Sequence, residues 1–197
     1  MEWEFALLDW MQTHLRSGLL DSIMPVITAL ANKGIFWIAV TLIMFIPRRT
    51  RKYAHVAAFA LLLGLLCTNM IIKPLVARIR PYDVREILLL IKAPTDYSFP
   101  SGHTQASFAV ATSLCMWKRK IGIPALLLAA LIAFSRMYLY VHYPTDILVG
   151  LIFGVGFAFV GLAIANRLFR NKPWDGCAGA VHPAVSENPV KSLDTAD

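Results

Sequence analysis

Three short stretches of this chain combine side chains suited to one kind of chemistry. Lys73 stands seven residues before Arg80-Pro81, Pro100-Ser101-Gly102-His103 forms a second group, and Ser135-Arg136 is followed by His142 and Asp146. A phosphoryl group in transfer spreads charge over three equatorial oxygens, so catalysis is mainly positioning it and stabilising that charge. Arg80 and Arg136 each offer a planar, bidentate fork, and Lys73 offers a point charge. Ser101 and Gly102 sit where the chain enters a helix after Pro100. A helix start presents free N–H groups and a positive dipole end to an anion, and glycine lets a phosphate come close.

A histidine attacks phosphorus only through a neutral, correctly aimed nitrogen. In His142-Tyr143-Pro144-Thr145-Asp146 the carboxylate comes four residues after the ring, near a helix start favoured by Pro144. Asp146 can accept the other ring N–H, which fixes the tautomer and stabilises the cation formed on attack. His103 then remains as general acid for the leaving oxygen and general base for water. The outcome is a two-step reaction through a phosphohistidine. Each piece alone has a plainer reading. A lone histidine at the end of an apolar run is usually structural, an interfacial arginine usually reaches for lipid headgroups, and Ser-Gly pairs are common in turns. Their joint arrangement carries the argument.

The elements that must position these groups are membrane spans. The chain has 197 residues, 57% of them hydrophobic and only 16% charged, and its mean hydropathy is +0.59. Soluble domains carry about 25% charged residues. Apolar runs cover Tyr53 to Ile72, Ser98 to Trp117, Ile123 to Val141 and Ile147 to Leu168. Gly34 to Ile46 is short for a span and extends backwards through Ile23 to Ala31 across Asn32, Lys33 and Gly34, with a break there. This predicts an all-α, polytopic bundle of about five spans, with residues 23–172 as its membrane domain. Basic clusters at Arg48 to Lys52, Lys118 to Lys120 and Arg167 to Lys172 then fall on one face, the cytoplasmic one by the positive-inside tendency. The candidate residues fall on the other face, at the extracytoplasmic side of the cell's inner membrane.

Residues 1–22 read as an interfacial amphipathic segment, with Trp3, Leu7, Trp10, Met11 and Leu15 near helical spacing. Residues 173–197 are polar and rich in Pro, Ala and Ser and read as a disordered cytoplasmic tail. No removable signal peptide is expected. The net charge of +7 lies in short groups between apolar runs, not in a stripe, so nucleic acid is not an expected partner. Cys67, Cys115 and Cys177 give neither a disulfide framework nor zinc spacing. Gly150 and Gly154 fit close helix packing, within the protein or in a homodimer. Asp83, Glu86 and Asp96 are expected to be solvated loop charges, with tuning of pH dependence or substrate choice as the alternative. The apolar run Ile87 to Ile91 should dip into the interface as one wall of a lipid access path.

Taken together, the three groups resemble the signature of the type 2 phosphatidic acid phosphatase superfamily. Lys-x6-Arg-Pro matches Lys73 to Pro81, Pro-Ser-Gly-His matches Pro100 to His103, and Ser-Arg-x5-His-x3-Asp matches Ser135 to Asp146. The resemblance runs from about Ile23 to Leu168 and implies hydrolysis without a metal or other cofactor. It implies His142 as nucleophile, Asp146 as its partner and His103 as acid/base, with Lys73, Arg80, Ser101, Gly102 and Arg136 holding the phosphate. The small size and short loops look similar to bacterial members that act on undecaprenyl diphosphate. Phosphatidylglycerophosphate or phosphatidic acid is the near alternative, and phosphotransfer to an acceptor alcohol would use the same site. A lipid transporter or scramblase is the alternative of another class, but it would need the cations without the His-Asp pair and second histidine.

Overall fold

The computed structural model describes residues 2–170, and among them every regular element is helical. In chain order these are α1 (Glu2–His14), α2 (Gly18–Leu30), α3 (Ile35–Met44), α4 (Arg51–Leu63), α5 (Lys73–Val76), α6 (Pro81–Val84), α7 (Gly102–Trp117), α8 (Arg119–Tyr138) and α9 (Pro144–Leu168). Three helical stretches, Arg48–Val84, Arg119–Tyr138 and Pro144–Leu168, are long and apolar enough to cross a membrane. A fourth arises if α2 and Asn32–Met44, bent by 40° at their junction, count as one span. The bend has a local cause, since Lys33 (φ 53°) and Gly34 (φ 70°) both turn left-handed there. A left-handed residue cannot continue the helical hydrogen-bond ladder.

The expected span from Ser98 to Trp117 is shorter than its apolar run. Helix α7 begins only at Gly102 and has 16 residues, about 24 Å at 1.5 Å per residue, against ~30 Å of hydrocarbon. It is the central helix, packed against α4, α8 and α9. That position explains its polar content. Thr104, Gln105, Ser107 and Ser113 are buried among neighbours and not turned to lipid, and Ser107 accepts a hydrogen bond from Trp37 of α3 at 2.7 Å. The outer faces of the bundle carry exposed Leu42, Ile43, Met70, Leu127, Leu148, Ile152 and Phe159, an apolar surface suited to acyl chains.

Glycine sets how closely α9 approaches α7. A Cβ on Gly150 would lie 2.7 Å from the carbonyl oxygen of Ser101, and one on Gly154 would lie 2.5 Å from that of Gln105. Both glycines therefore serve packing inside the protein, and they draw the start of α9 against the start of α7.

Helix α1 divides the expected stripe between two faces. Phe5, Leu8 and Met11 are buried against the bundle, while Trp3, Leu7 and Trp10 are exposed on the other side. Glu4 lies on the buried face. The expected tail at residues 173–197 lies outside the described residues.

Candidate active site

Each candidate side chain is delivered by a helix end. Helix α4 runs into Gly64–Ile72, which is wound more widely than an α-helix, and such a stretch re-aims the residues after it. Lys73 comes next, and Ala77 in the left-handed region (φ 47°) ends α5 and turns the chain towards Arg80. Pro81 occupies the first turn of α6, where a missing N–H costs nothing. Ser101 caps α7, its hydroxyl accepting from the N–H of Thr104 at 3.4 Å. Pro144 likewise opens α9, which puts Asp146 in its first turn. The N–H of Ser101 donates to the carbonyl of Asp146 at 3.1 Å, tying the two helix starts together.

His142 and Asp146 meet as the spacing predicts. Nδ1 of His142 lies 3.3 Å from Oδ2 of Asp146, and both residues are almost fully buried. The carboxylate also accepts from the N–H of Tyr143 at 2.9 Å and from the hydroxyl of Ser98. With the proton on Nδ1 facing Asp146, Nε2 keeps its lone pair, and Nη1 of Arg80 approaches it at 3.3 Å. Burial, followed by the charges of Arg80, Arg136 and Lys73, pushes His142 well below the ordinary histidine value. The ring is therefore neutral at physiological pH, the state a nucleophile needs.

The three cations gather around the same place. Arg80 is 3% exposed, Lys73 7% and Arg136 2%. Nη1 of Arg136 donates to Thr28 at 2.8 Å, but its buried Nε has no hydrogen-bond partner. Such an orphan costs about 1–3 kcal/mol unless something accepts from it, so this guanidinium has a donor to spare for an acceptor entering the cavity. His103 is within electrostatic reach of His142 and all three cations. Its Nε2 lies 3.1 Å from Oδ1 of Asn32, at the α2–α3 break.

Asp96 refines the sequence reading. It is a half-exposed loop charge, as expected, but it is not unpaired. Its carboxylate is paired with Nζ of Lys73 and, at 2.7 Å, with Nη2 of Arg80, bridging the two cations. Burial alone would raise this carboxyl, but the bond and charge of Lys73, then Arg80, outweigh it and hold Asp96 well below the ordinary carboxylate range.

A cavity of about 1140 Å³ opens onto the site. Lys73, Gly102, His103 and Arg136 line it with Asp96, while Ile38, Leu62 and Leu65 form apolar wall and Lys33 and Lys92 add further cations. Ile91 from the expected access-path segment also lines it. Arg80, Ser101, His142 and Asp146 sit deeper, each no more than 3% exposed. Among the described residues no group of three His, Cys, Asp or Glu side chains is gathered as a metal site.

Sequence reasoning missed several residues here. Ser98 and Asn32 carry no signal in type or spacing. Arg78, whose Nη1 reaches Asp146 at 2.6 Å, could not be told from neighbouring loop arginines. Glu4 could have been found: with Leu8, Met11 and Leu15 it forms an i, i+4, i+7, i+11 stripe, and a carboxylate in an apolar stripe needs a partner.

The profile of the PAP2 superfamily matches residues 53–170, which hold all three residue groups. The chain belongs to the PAP2 superfamily. Relatives agree with that membership. The undecaprenyl-diphosphatase of Sulfolobus acidocaldarius is 30% identical over 164 residues, covering 82% of this chain and 77% of that protein. The undecaprenyl-diphosphatase BcrC of Bacillus subtilis is 32% identical over 152 residues, 77% of this chain and 78% of that one. Among solved structures, Aquifex aeolicus LpxE superposes with a TM-score of 0.69 at 27% identity, over 81% of this chain and 94% of its own. The transmembrane PAP2-type phosphatidylglycerolphosphate phosphatase of Bacillus subtilis gives 0.70 at 23% identity, over 87% and 88%, a likeness of fold. This PAP2 protein is a multi-pass membrane phosphatase.

Proposed function

We propose that this PAP2 phosphatase hydrolyses undecaprenyl diphosphate to undecaprenyl phosphate at the extracytoplasmic face of the inner membrane, through a phosphohistidine on His142. The observation that carries the mechanism is the buried His142–Asp146 pair, 3.3 Å apart, with Nε2 of His142 beside Arg80. Nε2 attacks the terminal phosphorus and forms a P–N bond as the bond to the bridging oxygen breaks. Asp146 stabilises the imidazolium, and His103 gives its proton to the leaving lipid phosphate. His103 then takes a proton from water, whose oxygen attacks phosphorus, and the P–N bond breaks to release inorganic phosphate. Lys73, Arg80, Arg136, the hydroxyl of Ser101 and the N–H of Gly102 hold the transferring oxygens.

The diphosphate reading draws support from the two named undecaprenyl-diphosphatase relatives. Lys33 and Lys92 on the wall of the same cavity as Lys73 offer cations for a second phosphate, and the apolar wall suits the start of a prenyl chain. The sidedness draws support from the helix ends. The stretch from α4 to α5 and helices α7, α8 and α9 carry basic clusters at the ends opposite to those bearing the candidate residues, which favours a cytoplasmic location for the clusters.

The test uses purified full-length protein in detergent with EDTA present. It is mixed rapidly with undecaprenyl diphosphate labelled at the terminal phosphorus and quenched. Wild type should carry an acid-labile, base-stable label, His103→Ala should accumulate it, and His142→Ala should lack it. Absence of label in both wild type and His103→Ala would refute the mechanism. A higher kcat/KM for phosphatidylglycerophosphate or phosphatidic acid than for undecaprenyl diphosphate would overturn the substrate assignment and leave the mechanism intact.

A further inference from the structure

We propose that Arg78 and Glu4 are positioning residues for Asp146, which makes the N-terminal helix α1 a working part of the active site. The inference rests on the reading of His142 as nucleophile and Asp146 as its partner. Glu4 lies outside the region matched by the superfamily profile, which begins at residue 53.

The contacts form a closed circuit. Nη1 of Arg78 donates to Oδ1 of Asp146 at 2.6 Å and to the hydroxyl of Thr145 at 2.7 Å. Nη2 of Arg78 donates to Oε2 of Glu4 at 2.6 Å. Thr145 in turn donates to Oε1 of Glu4 at 2.5 Å. The guanidinium lies over the ring of Tyr143, 3.8 Å from its centroid, and the carbonyl of Arg78 accepts from the N–H of Ser98 at 2.8 Å. Ser98 itself donates to Oδ2 of Asp146. One residue therefore fixes both oxygens of the carboxylate, Oδ1 directly and Oδ2 through Ser98.

Glu4 controls how Arg78 binds. An arginine facing a lone carboxylate prefers a bidentate grip on both oxygens. Here Glu4, only 3% exposed, holds the second arm of the fork. Arg78 thus engages Asp146 through Nη1 alone, which leaves Oδ2 for Nδ1 of His142. Without Glu4 the freed arm is drawn to Oδ2 and competes with the histidine. Without Arg78 two buried carboxylates lose the cation between them. In either case the His142 ring loses its aim, and a misplacement near 1 Å costs about 10²-fold in rate.

Kinetics on the full-length protein in detergent micelles, with labelled undecaprenyl diphosphate, test this. Glu4→Ala and Arg78→Ala should each lower kcat roughly 10- to 100-fold, with KM within about two-fold of wild type, because neither residue touches the substrate. Arg78→Lys should recover part of the loss. Because the assigned role of Glu4 is to hold the second arm of Arg78, the double variant should be no slower than Arg78→Ala alone. Additive losses, a raised KM with kcat retained, or Arg78→Lys no better than Arg78→Ala would each overturn the assignment. If Arg78→Ala does not elute as a folded species, Glu4→Gln carries the comparison: a lower kcat at unchanged KM supports the proposal and an unchanged kcat ends it. Phosphoenzyme is measured in the same preparations. Its absence in both wild type and His103→Ala breaks the His142 reading itself, whereas its presence with normal Glu4→Ala kinetics sinks only the Glu4–Arg78 assignment.

Discussion

Replacing Asp96 by asparagine should tighten phosphate binding. In the structure this carboxylate sits on Lys73 and Arg80, two of the three cations assigned to the phosphate, so substrate must displace it. The side chain of Asp96 is 55% exposed, so solvent screens both pairs and each is worth only ~0.5–1 kcal/mol despite the buried partners. Displacing both then costs about 1–2 kcal/mol, and since ~1.4 kcal/mol is tenfold in a binding constant, KM should fall roughly 5- to 30-fold. Asparagine keeps the shape and an acceptor oxygen, which limits any collapse of the loop. The assay is hydrolysis in mixed micelles, with KM and competitive inhibition by inorganic phosphate measured side by side. Both constants should fall together, because the same two cations receive the substrate's terminal phosphate and the product. A KM that stays or rises, with phosphate inhibition unchanged, would show that Asp96 does not compete for these cations and that its pairing is only a loop tether.

Packing and burial set two more outcomes. Gly154→Leu should lower the melting temperature in detergent, because its Cβ would lie 2.5 Å from the Gln105 carbonyl oxygen and 2.8 Å from Cβ of Phe108. Overpacking of this kind costs about 1–3 kcal/mol, whereas Gly156→Ala, with nothing within 4 Å of its Cβ, should melt at or above wild type. The buried His142, neutral in the folded state, binds a proton less readily than in the unfolded chain. Stability should therefore be fully retained above the ordinary histidine value of 6.5 and fall as pH drops below it. His142→Gln should flatten that part of a melting-temperature profile.

The fold and the site were legible in the sequence to different depths. Long apolar runs specify helices because the bilayer leaves the backbone no other way to satisfy itself, and Pro81, Pro144 and Ser101 mark helix starts by local chemistry alone. The break at Asn32 to Gly34 was visible as polar residues and a glycine inside an apolar run, but its 40° bend was not. Span counting overstated α7, because hydropathy cannot tell a lipid-facing run from a central helix whose polar side chains are buried between neighbouring helices.

Sequence by itself determined which chemistry this protein performs. Lysine, arginine and histidine at membrane depth are costly enough that their types, order and spacing already point to phosphate, and the four-residue step from His142 to Asp146 is a helix-start geometry that needs no distant partner. Tertiary structure alone decided what surrounds those groups. Glu4 and Arg78 are 74 positions apart and Asn32 and His103 are 71, so no local pattern connects them. Asp96 became a bridge between two cations only when folding buried Lys73 and Arg80 beside it. A charge buried by long-range packing must find its counter-charge wherever the chain brings one, and that choice belongs to the packed bundle.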